Sequence, residues 1–248
     1  MKKSPLKNRY ALVTGASGGI GFEIAKGLLS EGALVGAHYC GNETSVERLR
    51  RYGKGQCQAF QADFSHSSEV LRLWDEFLLW SKGRIDILVN NAGEVVRPAP
   101  LEALSEELWD AAFQTNVKAP FLLSRAALPI MTRQKKGRII NISSIGVKFG
   151  GSPTTAHYSA SKAALEALTK SFAKAAAPYN VLVNAVRPGI TSTPIHMKAG
   201  RGDMSKRVAM IPLKRFANPS EIAEVVLFLA SDKSSFITNT VIDAAGGE

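Results

Sequence analysis

The chain is poor in cysteine and histidine. Its 248 residues include two cysteines, Cys40 and Cys57, and four histidines. The cysteines are not in Cys-x-x-Cys spacing, and no histidine cluster accompanies them. The sequence therefore predicts neither a disulfide framework nor a structural zinc site, and we expect a chemistry that requires no metal.

Long apolar runs are also missing. No run approaches the roughly 18 residues that a membrane-spanning helix requires. The first segment, MKKSPLKNRY, is basic but lacks the apolar core of a secretory signal. We therefore expect a cytoplasmic protein without a membrane partner.

Acidic side chains are in the minority. Lysine and arginine number 31 against 21 aspartates and glutamates, which gives a formal net charge of +10. The excess is concentrated in residues 48–55, 132–138 and 198–207, and it favours a polyanionic partner: cofactor phosphates, a coenzyme A ester or an acidic carrier protein. Solvated loop charge is the alternative. Only Tyr52 interleaves with these clusters and no nucleic-acid motif is present, so we expect no nucleic acid partner.

What the sequence does contain is an alternation of strands and helices. Seven short, apolar, β-branched runs are predicted as strands: YALVT, ALVGAHY, CQAFQAD, IDILVNNAG, GRIINISS, VLVNAVRPG and NTVIDAAGG. Helical segments lie between them, and several strand runs are apolar nearly throughout, as a sheet covered on both faces requires. The sequence therefore predicts an α/β fold, a doubly wound seven-stranded parallel sheet (Rossmann fold), in a single domain over 1–248.

Four segments carry more specific predictions. Two helical faces are predicted, one from Val70, Leu71, Trp74, Phe77 and Leu78, the other over 101–113 from Leu101, Leu104, Leu108 and Phe113. A capping box is predicted at Asn218, Pro219 and Glu221. Residues 190–212 mix proline, glycine and charge without a clear period, and we predict a substrate lid there.

A glycine-rich turn follows the first strand. The segment TGASGGIG, residues 14–21, leads into a helical pattern, which is the setting of a dinucleotide site. Gly15 permits a tight turn, Gly19 or its neighbour lets the backbone approach a pyrophosphate, and Gly21 allows close packing, while helix N-terminal amides face the anion. Ser17, Gly18 and Ile20 belong to the same predicted cofactor contact.

The choice of cofactor depends on the end of the second strand. A carboxylate there would bond the ribose hydroxyls of NAD, but residues 38–42 contain no acid and Glu43 is the first. The absence of an acid predicts NADP(H). NAD(H) stays the alternative, because no arginine or lysine is present there to bind the extra phosphate and Gly18 fills a loop position where a basic residue would help. Asp63, at the end of the third strand, is predicted to accept from an adenine amino group or to cap the following helix.

Tyr158 and Lys162 stand four residues apart in a predicted helix, so both project from one face. A phenol has an unperturbed pKa near 10, and a neighbouring ammonium favours its ionised form. The pair is therefore a candidate for acid-base chemistry.

These motifs occur in an order that resembles the short-chain dehydrogenase/reductase family. The resemblance rests on the glycine-rich turn, NNAG at 90–93, Asn116 in QTNVKAPF, Ser144 in NISSIG, YSASK at 158–162, and PGITSTP at 188–194, and it covers essentially the whole chain. Within the family the chain looks most like the 3-oxoacyl-acyl-carrier-protein reductases and similar reductases labelled sugar dehydrogenases.

The resemblance implies a role for each catalytic candidate. Tyr158 would protonate the carbonyl oxygen as hydride arrives at carbon, and Lys162 would lower the pKa of Tyr158 and bond the nicotinamide ribose. Ser144 would orient the substrate oxygen, although neighbouring Ser143 is an alternative. Asn116 would hold a water that links Lys162 to solvent, or serve only as an amide that bonds the backbone.

The resemblance also implies binding residues. Asn90, Ala92 and Gly93 would line the adenosine side, Pro188, Gly189 and the Ile190 backbone the nicotinamide side, and Thr193 a phosphate. The remaining predicted cofactor contacts are His38, Tyr39, Asp63 and Phe64. The predicted substrate pocket is lined by Ser144 together with Glu94, Phe149, Pro153, Ile195 and His196.

The expected activity is NADP(H)-dependent reduction of a 3-oxoacyl thioester, in a homo-oligomer that is a tetramer or dimer. A sugar or small secondary-alcohol dehydrogenase is the second hypothesis, and a non-catalytic dinucleotide sensor is the third. Some positions depart from the family pattern. Tyr179 stands where carrier-protein reductases present an arginine, Ala245 replaces the aspartate of Asp-Gly-Gly, and Asn239 replaces a glycine.

Overall fold

The computed structural model describes residues 5–193 and 204–248, and it places a seven-stranded sheet at the centre of the molecule. The strand order is β3-β2-β1-β4-β5-β6-β7, and every neighbouring pair is parallel. The strands are β1 (Tyr10–Val13), β2 (Leu34–Tyr39), β3 (Cys57–Gln61), β4 (Ile87–Asn90), β5 (Gly137–Ile142), β6 (Val181–Pro188) and β7 (Val241–Ala244). The predicted fold class is confirmed.

Helices cover both faces of this sheet. In the described residues they are α1 (Gly19–Ser30), α2 (Glu43–Gly53), α3 (Ser67–Trp80), α4 (Glu106–Phe113), α5 (Ala119–Gln134), α6 (Gly146–Phe149), α7 (Ala156–Ala176), α8 (Ser205–Met210) and α9 (Pro219–Ala230). Helices α1, α2 and α9 bury Leu28, Leu49 and Val226 on one face. On the other face, α3 and α5 bury Phe77 and Met131. None of the described helices is long and apolar enough to cross a membrane.

The two predicted helical faces differ in outcome. In α3, Val70, Trp74 and Phe77 are buried, whereas Leu71 is 43% exposed because it lies one position off the buried stripe. The predicted face over 101–113 is wrong as a single helix. A 3₁₀ turn (Leu101–Ala103) precedes α4, whose N-cap is Ser105, and Leu101 is 62% exposed.

Local caps and turns explain two unusual positions. The predicted capping box is present at the start of α9, where a Glu221 carboxylate oxygen accepts from the Asn218 amide at 2.8 Å. Asn239 has a φ of +60°, a left-handed conformation that asparagine tolerates better than most residues other than glycine. This explains why asparagine can replace glycine there.

Candidate active site

The glycine-rich turn connects β1 to α1 at the carboxyl edge of the sheet. Strand β1 lies between β2 and β4, so the chain crosses over at this point, where open α/β sheets form their ligand crevice. Gly15 has a φ of +66°, and a Cβ there would lie 3.0 Å from the Cα of Ala92. A Cβ at Gly21 would lie 2.2 Å from the Gly15 carbonyl oxygen. The tightness of the turn and the free amides at the start of α1 fit the pyrophosphate of a dinucleotide.

Two residues that the sequence interpretation did not single out brace this turn. The Thr14 hydroxyl oxygen accepts from the backbone amides of Asn91 (3.0 Å) and Ala92 (2.9 Å). The Asn91 side chain donates to the Thr14 carbonyl at 2.8 Å and to that of Gly15 at 3.2 Å. Both residues stand inside recognised motifs, TGASGGIG and NNAG, which was the available signal.

The cofactor contacts predicted at and after the ends of β2 and β3 fall into two groups. His38, Tyr39 and Phe64 are buried, and the His38 and Phe64 rings stack in parallel at 4.0 Å between centroids. Asp63 is exposed, and one carboxylate oxygen accepts from the Ser65 amide at 2.9 Å, which lowers the pKa of Asp63. Asp63 therefore shapes the turn before α3, whose N-cap is His66.

At the end of β4 the predicted residues have different orientations. Asn90 is buried, and its side chain donates to Ser124 (3.1 Å) and Asn141 (2.7 Å), inside the protein. A Cβ at Gly93 would lie 2.8 Å from the Lys162 ammonium nitrogen and 3.2 Å from the Asn116 side-chain oxygen. The absence of a side chain at Gly93 thus makes room for Lys162.

The segment after β6 returns to the glycine-rich turn. The Pro188 carbonyl accepts from Ile145 at 3.0 Å, which ties this segment to the end of β5. A Cβ at Gly189 would lie 2.7 Å from the Cα of Ala245, so the two backbones pack closely. A Cβ at Gly19 would lie 3.0 Å from the Thr193 methyl group, which places Thr193 beside the turn. Its contact with a phosphate stays a prediction.

Helix α7 carries Tyr158 and Lys162 on one face. Lys162 is buried, its ammonium donates to the Ile142 carbonyl at 2.8 Å, and it lies 5.8 Å from the centre of the Tyr158 ring. Burial lowers the pKa of Lys162 to about 8. Its ammonium is therefore held close to its titration range and next to the predicted proton donor.

The two neighbouring serines after β5 have different environments. The Ser143 hydroxyl is buried and donates to the Glu166 carboxylate at 2.5 Å. The Ser144 hydroxyl oxygen accepts from the Gly146 amide at 3.1 Å and lines the same pocket as Tyr158. This arrangement favours Ser144 over Ser143 as the hydroxyl that would meet a substrate.

Asn116 is buried in a π-helical turn (Gln114–Lys118) between α4 and α5. Its side-chain oxygen accepts from the Glu94 amide at 2.9 Å, and its nitrogen donates to the Glu94 carbonyl and to the Ser161 hydroxyl, both at 3.0 Å. Asn116 therefore fixes the chain after NNAG. A water-holding role for it stays a prediction.

A charged network behind the serines was not predicted. The Arg187 guanidinium makes a two-point contact with the buried Glu166 carboxylate, at 2.7 and 2.6 Å, and also bonds Asp243 at 3.2 Å. Glu166 is four positions after Lys162 on α7, and that helical spacing was the only signal in the sequence. The network attaches α7 to the ends of β5, β6 and β7.

The pocket that contains Ser144 and Tyr158 has a volume of about 750 Å³. Most of its other side chains are apolar, among them Val95, Ile145, Phe149, Met204, Met210 and Pro212. Phe149 was predicted to line it. Glu94 and Pro153 lie next to lining residues Val95 and Ser152, and Ile195 and His196 fall outside the described residues. Of the predicted lid over 190–212, the described part contributes Ile190, Met204, Arg207, Met210 and Pro212 to the lining.

Comparisons with known proteins give matches over nearly the whole chain. A family model described as Enoyl-(Acyl carrier protein) reductase matches residues 15–248. The chain is 37% identical over 248 residues to the 3-oxoacyl-[acyl-carrier-protein] reductase FabG of Thermotoga maritima, which covers 98% of both chains. It is 37% identical over 247 residues to the acetoacetyl-CoA reductase of an Acinetobacter species, with 97% of this chain and 98% of that one covered. A solved short chain dehydrogenase/reductase family protein superposes with a TM-score of 0.87 at 35% identity, covering 98% of each chain.

The fold, the glycine-rich turn and these matches define an NAD(P)-dependent oxidoreductase that acts on a carbonyl or hydroxyl group. More particularly, the chain belongs to the short-chain dehydrogenase/reductase family. The resemblance found in the motifs is thereby confirmed over nearly the full length of the chain.

Proposed function

We propose that the protein reduces a 3-oxoacyl thioester to the 3-hydroxyacyl thioester with NADPH, as a cytoplasmic homo-oligomer. The observation that carries this proposal is the 750 Å³ pocket, in which the hydroxyls of Ser144 and Tyr158 stand among mainly apolar side chains. A lining with this apolar majority suits an acyl chain better than a sugar, whose hydroxyls would find polar partners besides the reacting pair only at Ser152, Thr155, Ser159, Arg207 and Glu248. The names of the two curated relatives above support the same substrate class.

The chain's own residues would handle the proton and the oxygen. A bound nicotinamide cofactor supplies the hydride that reaches the carbonyl carbon. The Tyr158 hydroxyl gives its proton to the carbonyl oxygen, so that C=O becomes CH–OH, and the Lys162 ammonium stabilises the phenolate that remains. Ser144 donates to the same oxygen as negative charge develops on it. Gly93, which has no side chain, leaves the room that the Lys162 ammonium occupies.

The proposed catalysis is tested by following NADPH oxidation with acetoacetyl-CoA, an enoyl thioester such as crotonyl-CoA, sugars and small cyclic ketones. We expect the 3-oxoacyl thioester to give the highest kcat/KM. Tyr158→Phe should lower kcat by at least about a hundredfold, because it removes the transferable proton, while the Kd for NADPH stays within about threefold.

Near-normal turnover in Tyr158→Phe would contradict the mechanism. A higher kcat/KM for the enoyl thioester would move the reaction to C=C reduction, and a higher value for a sugar would support the dehydrogenase hypothesis. Binding of NADPH without turnover of any carbonyl would leave the dinucleotide sensor.

The preference for NADPH rests on the surroundings of the β2 end. Cys40, Gly41 and Asn42 are exposed there, and Asn42 accepts from the Ser45 amide at the start of α2. A side chain at Gly18 or Gly41 would meet no atom within 4 Å, so there is open space for a phosphate. Residues 38–42 contain no carboxylate, and Glu43 is the first residue of α2.

We expect kcat/KM with NADPH to exceed that with NADH by at least about tenfold, since a ribose phosphate meets no carboxylate here. Steady-state kinetics with both cofactors at a fixed thioester concentration measure the ratio. A ratio in favour of NADH would overturn the cofactor assignment and leave the proposed carbonyl reduction unaffected.

A further inference from the structure

His38 is held by the protein on every side. Its ring is 3% exposed, although it stands at the end of β2 where the cofactor site begins. The Gly15 amide donates to Nδ1 of the ring at 3.0 Å, and Nε2 lies 3.0 Å from the Ala62 carbonyl oxygen. One ring face stacks on Phe64. Both ring nitrogens are thus used inside the protein.

The pattern of partners fixes the protonation of the ring. A backbone amide can only donate, so Nδ1 must accept and carries no proton. A carbonyl oxygen can only accept, so Nε2 must carry the proton and donate to Ala62. Burial also keeps the ring neutral, since it lowers the pKa of His38 to about 4. The contacts with Gly15 and Ala62 therefore require one tautomer, the neutral Nε2–H form.

His38 contacts the glycine-rich turn through both its ring and its backbone. The carbonyl of His38 accepts from the Ala16 amide at 2.8 Å, so His38 holds two consecutive amides of the turn, at Gly15 and Ala16. These two amides are consequently not available to an anion. The amides that follow them, at the start of α1, have no acceptor within the helix and remain available.

The ring also joins the turn to the adenosine side. Ala62 precedes Asp63 and Phe64 at the end of β3, and the Ala62 amide in turn donates to the Tyr39 carbonyl at 3.0 Å. Ring and backbone together connect β2, the turn after β1 and the end of β3. Those three segments are the ones predicted to bind the adenine, its ribose and the pyrophosphate, whereas the nicotinamide side is predicted after β6.

We propose that His38 is a positioning residue, which uses its side chain to hold the glycine-rich turn in its dinucleotide-binding shape and does not itself contact the cofactor. The proposal rests on the proposed NADPH site. According to the proposal, the Gly15–Nδ1 bond increases the affinity for the cofactor and has no effect on the rate of hydride transfer. Its expected signature is a raised Kd and KM for NADPH at a nearly unchanged kcat.

Two substitutions test the bond of the ring to Gly15 separately from its bond to Ala62. The side-chain oxygen of asparagine occupies nearly the place of Nδ1, and the side-chain nitrogen of glutamine nearly that of Nε2. His38→Asn therefore keeps an acceptor for Gly15, whereas His38→Gln keeps a donor for Ala62 and loses the acceptor for the turn. Ile85→Val, in a buried position before β4 and away from the carboxyl edge, is the control for a general loss of stability.

The Kd for NADPH is measured by fluorescence titration without carbonyl substrate, and the melting temperature of each variant alongside. We expect His38→Gln to raise the Kd by about tenfold or more, and His38→Asn and Ile85→Val to stay within about threefold of the wild type. Equal Kd values for wild type and His38→Gln, or equal losses in the Asn and Gln variants, would overturn the proposal. A wild-type protein that does not bind NADPH would instead refute the proposed function.

A measurement on the wild type keeps the proposal testable if the variants do not fold. Nitrogen-15 NMR of the imidazole distinguishes the tautomers, and the chain has only four histidines to assign. We expect His38 to be the neutral Nε2–H tautomer at neutral pH, with an unprotonated Nδ1. An Nδ1–H tautomer or a charged ring would contradict the contact with Gly15 and overturn the assignment.

Discussion

Among single residues, Lys162 combines a buried position with a charge that the chemistry requires. The residue is 3% exposed, its ammonium donates to the Ile142 carbonyl, and it forms no ion pair with a carboxylate of residues 5–193 or 204–248. Burial without a counter-ion disfavours the charged form, which is why the pKa of Lys162 falls to about 8. An ordinary lysine stays charged up to about pH 10.

This position predicts a pH dependence. Below about pH 8 Lys162 is an ammonium that can stabilise the Tyr158 phenolate, and above it the charge is lost. We expect kcat/KM for NADPH to fall as the pH rises through about 8, because that parameter reports groups of the free enzyme. A pH profile at saturating thioester measures it.

Lys162→Arg provides the comparison, since a guanidinium stays charged over the same range. Whatever activity this variant keeps should show no fall near pH 8. A wild-type profile that stays level to about pH 10 would show that the ammonium is not needed or that its pKa is not lowered.

Among the elements, α7 and the end of β5 form one unit around the site. Three consecutive residues, Asn141, Ile142 and Ser143, bond to Thr169, Lys162 and Glu166 of α7 at 2.8, 2.8 and 2.5 Å. Three side chains of α7 thus share the face that meets the strand end, and Tyr158 lies one turn before Lys162 on the same helix. Ser144 follows the end of β5 and Tyr158 lies on α7, so the bonds between these two elements fix the position of one residue relative to the other.

What the sequence could predict of these elements follows from period and spacing. The alternation of apolar runs gave all seven strands, and the four-residue spacing of Tyr158 and Lys162 placed them on one helix face. The break at Ser105 was missed because Leu101, Leu104 and Leu108 continue a helical period through it. The apolar period shows which face of a segment is buried. It does not show whether the segment is one continuous helix or two helical pieces with a break between them.

Contacts between distant positions were beyond prediction for a different reason. His38 meets Gly15 across 23 positions, and Glu166 meets Arg187 across 21. No spacing rule relates such pairs, since they depend on how the strands are ordered in the sheet. The sequence placed His38 near the cofactor, but only the fold shows that its two nitrogens are used by Gly15 and Ala62.

The molecule as a whole has a large excess of positive charge. The formal net charge is +10, yet the basic residues at the described edge of the pocket are paired: Lys148 lies 3.1 Å from Asp243, and Arg207 contacts Glu248. Attraction of an anionic partner would therefore come from the summed field of the molecule more than from either of these side chains. Tyr179, 48% exposed, adds no charge where an arginine was expected from the family pattern.

A carrier-bound substrate should reveal that field through its salt dependence. We expect kcat/KM for a 3-oxoacyl group on an acidic carrier protein to fall at least about tenfold between about 50 and about 500 mM NaCl, because salt screens long-range attraction. The same acyl group on a small uncharged thiol meets the same pocket without that attraction, so its kcat/KM should change less than about twofold. Stopped-flow or steady-state NADPH oxidation measures both substrates side by side. Equal salt dependence of the two would show that the positive charge does not serve a carrier, and a carrier-bound substrate that reacts no faster than the small thioester at low salt would remove the carrier as a partner.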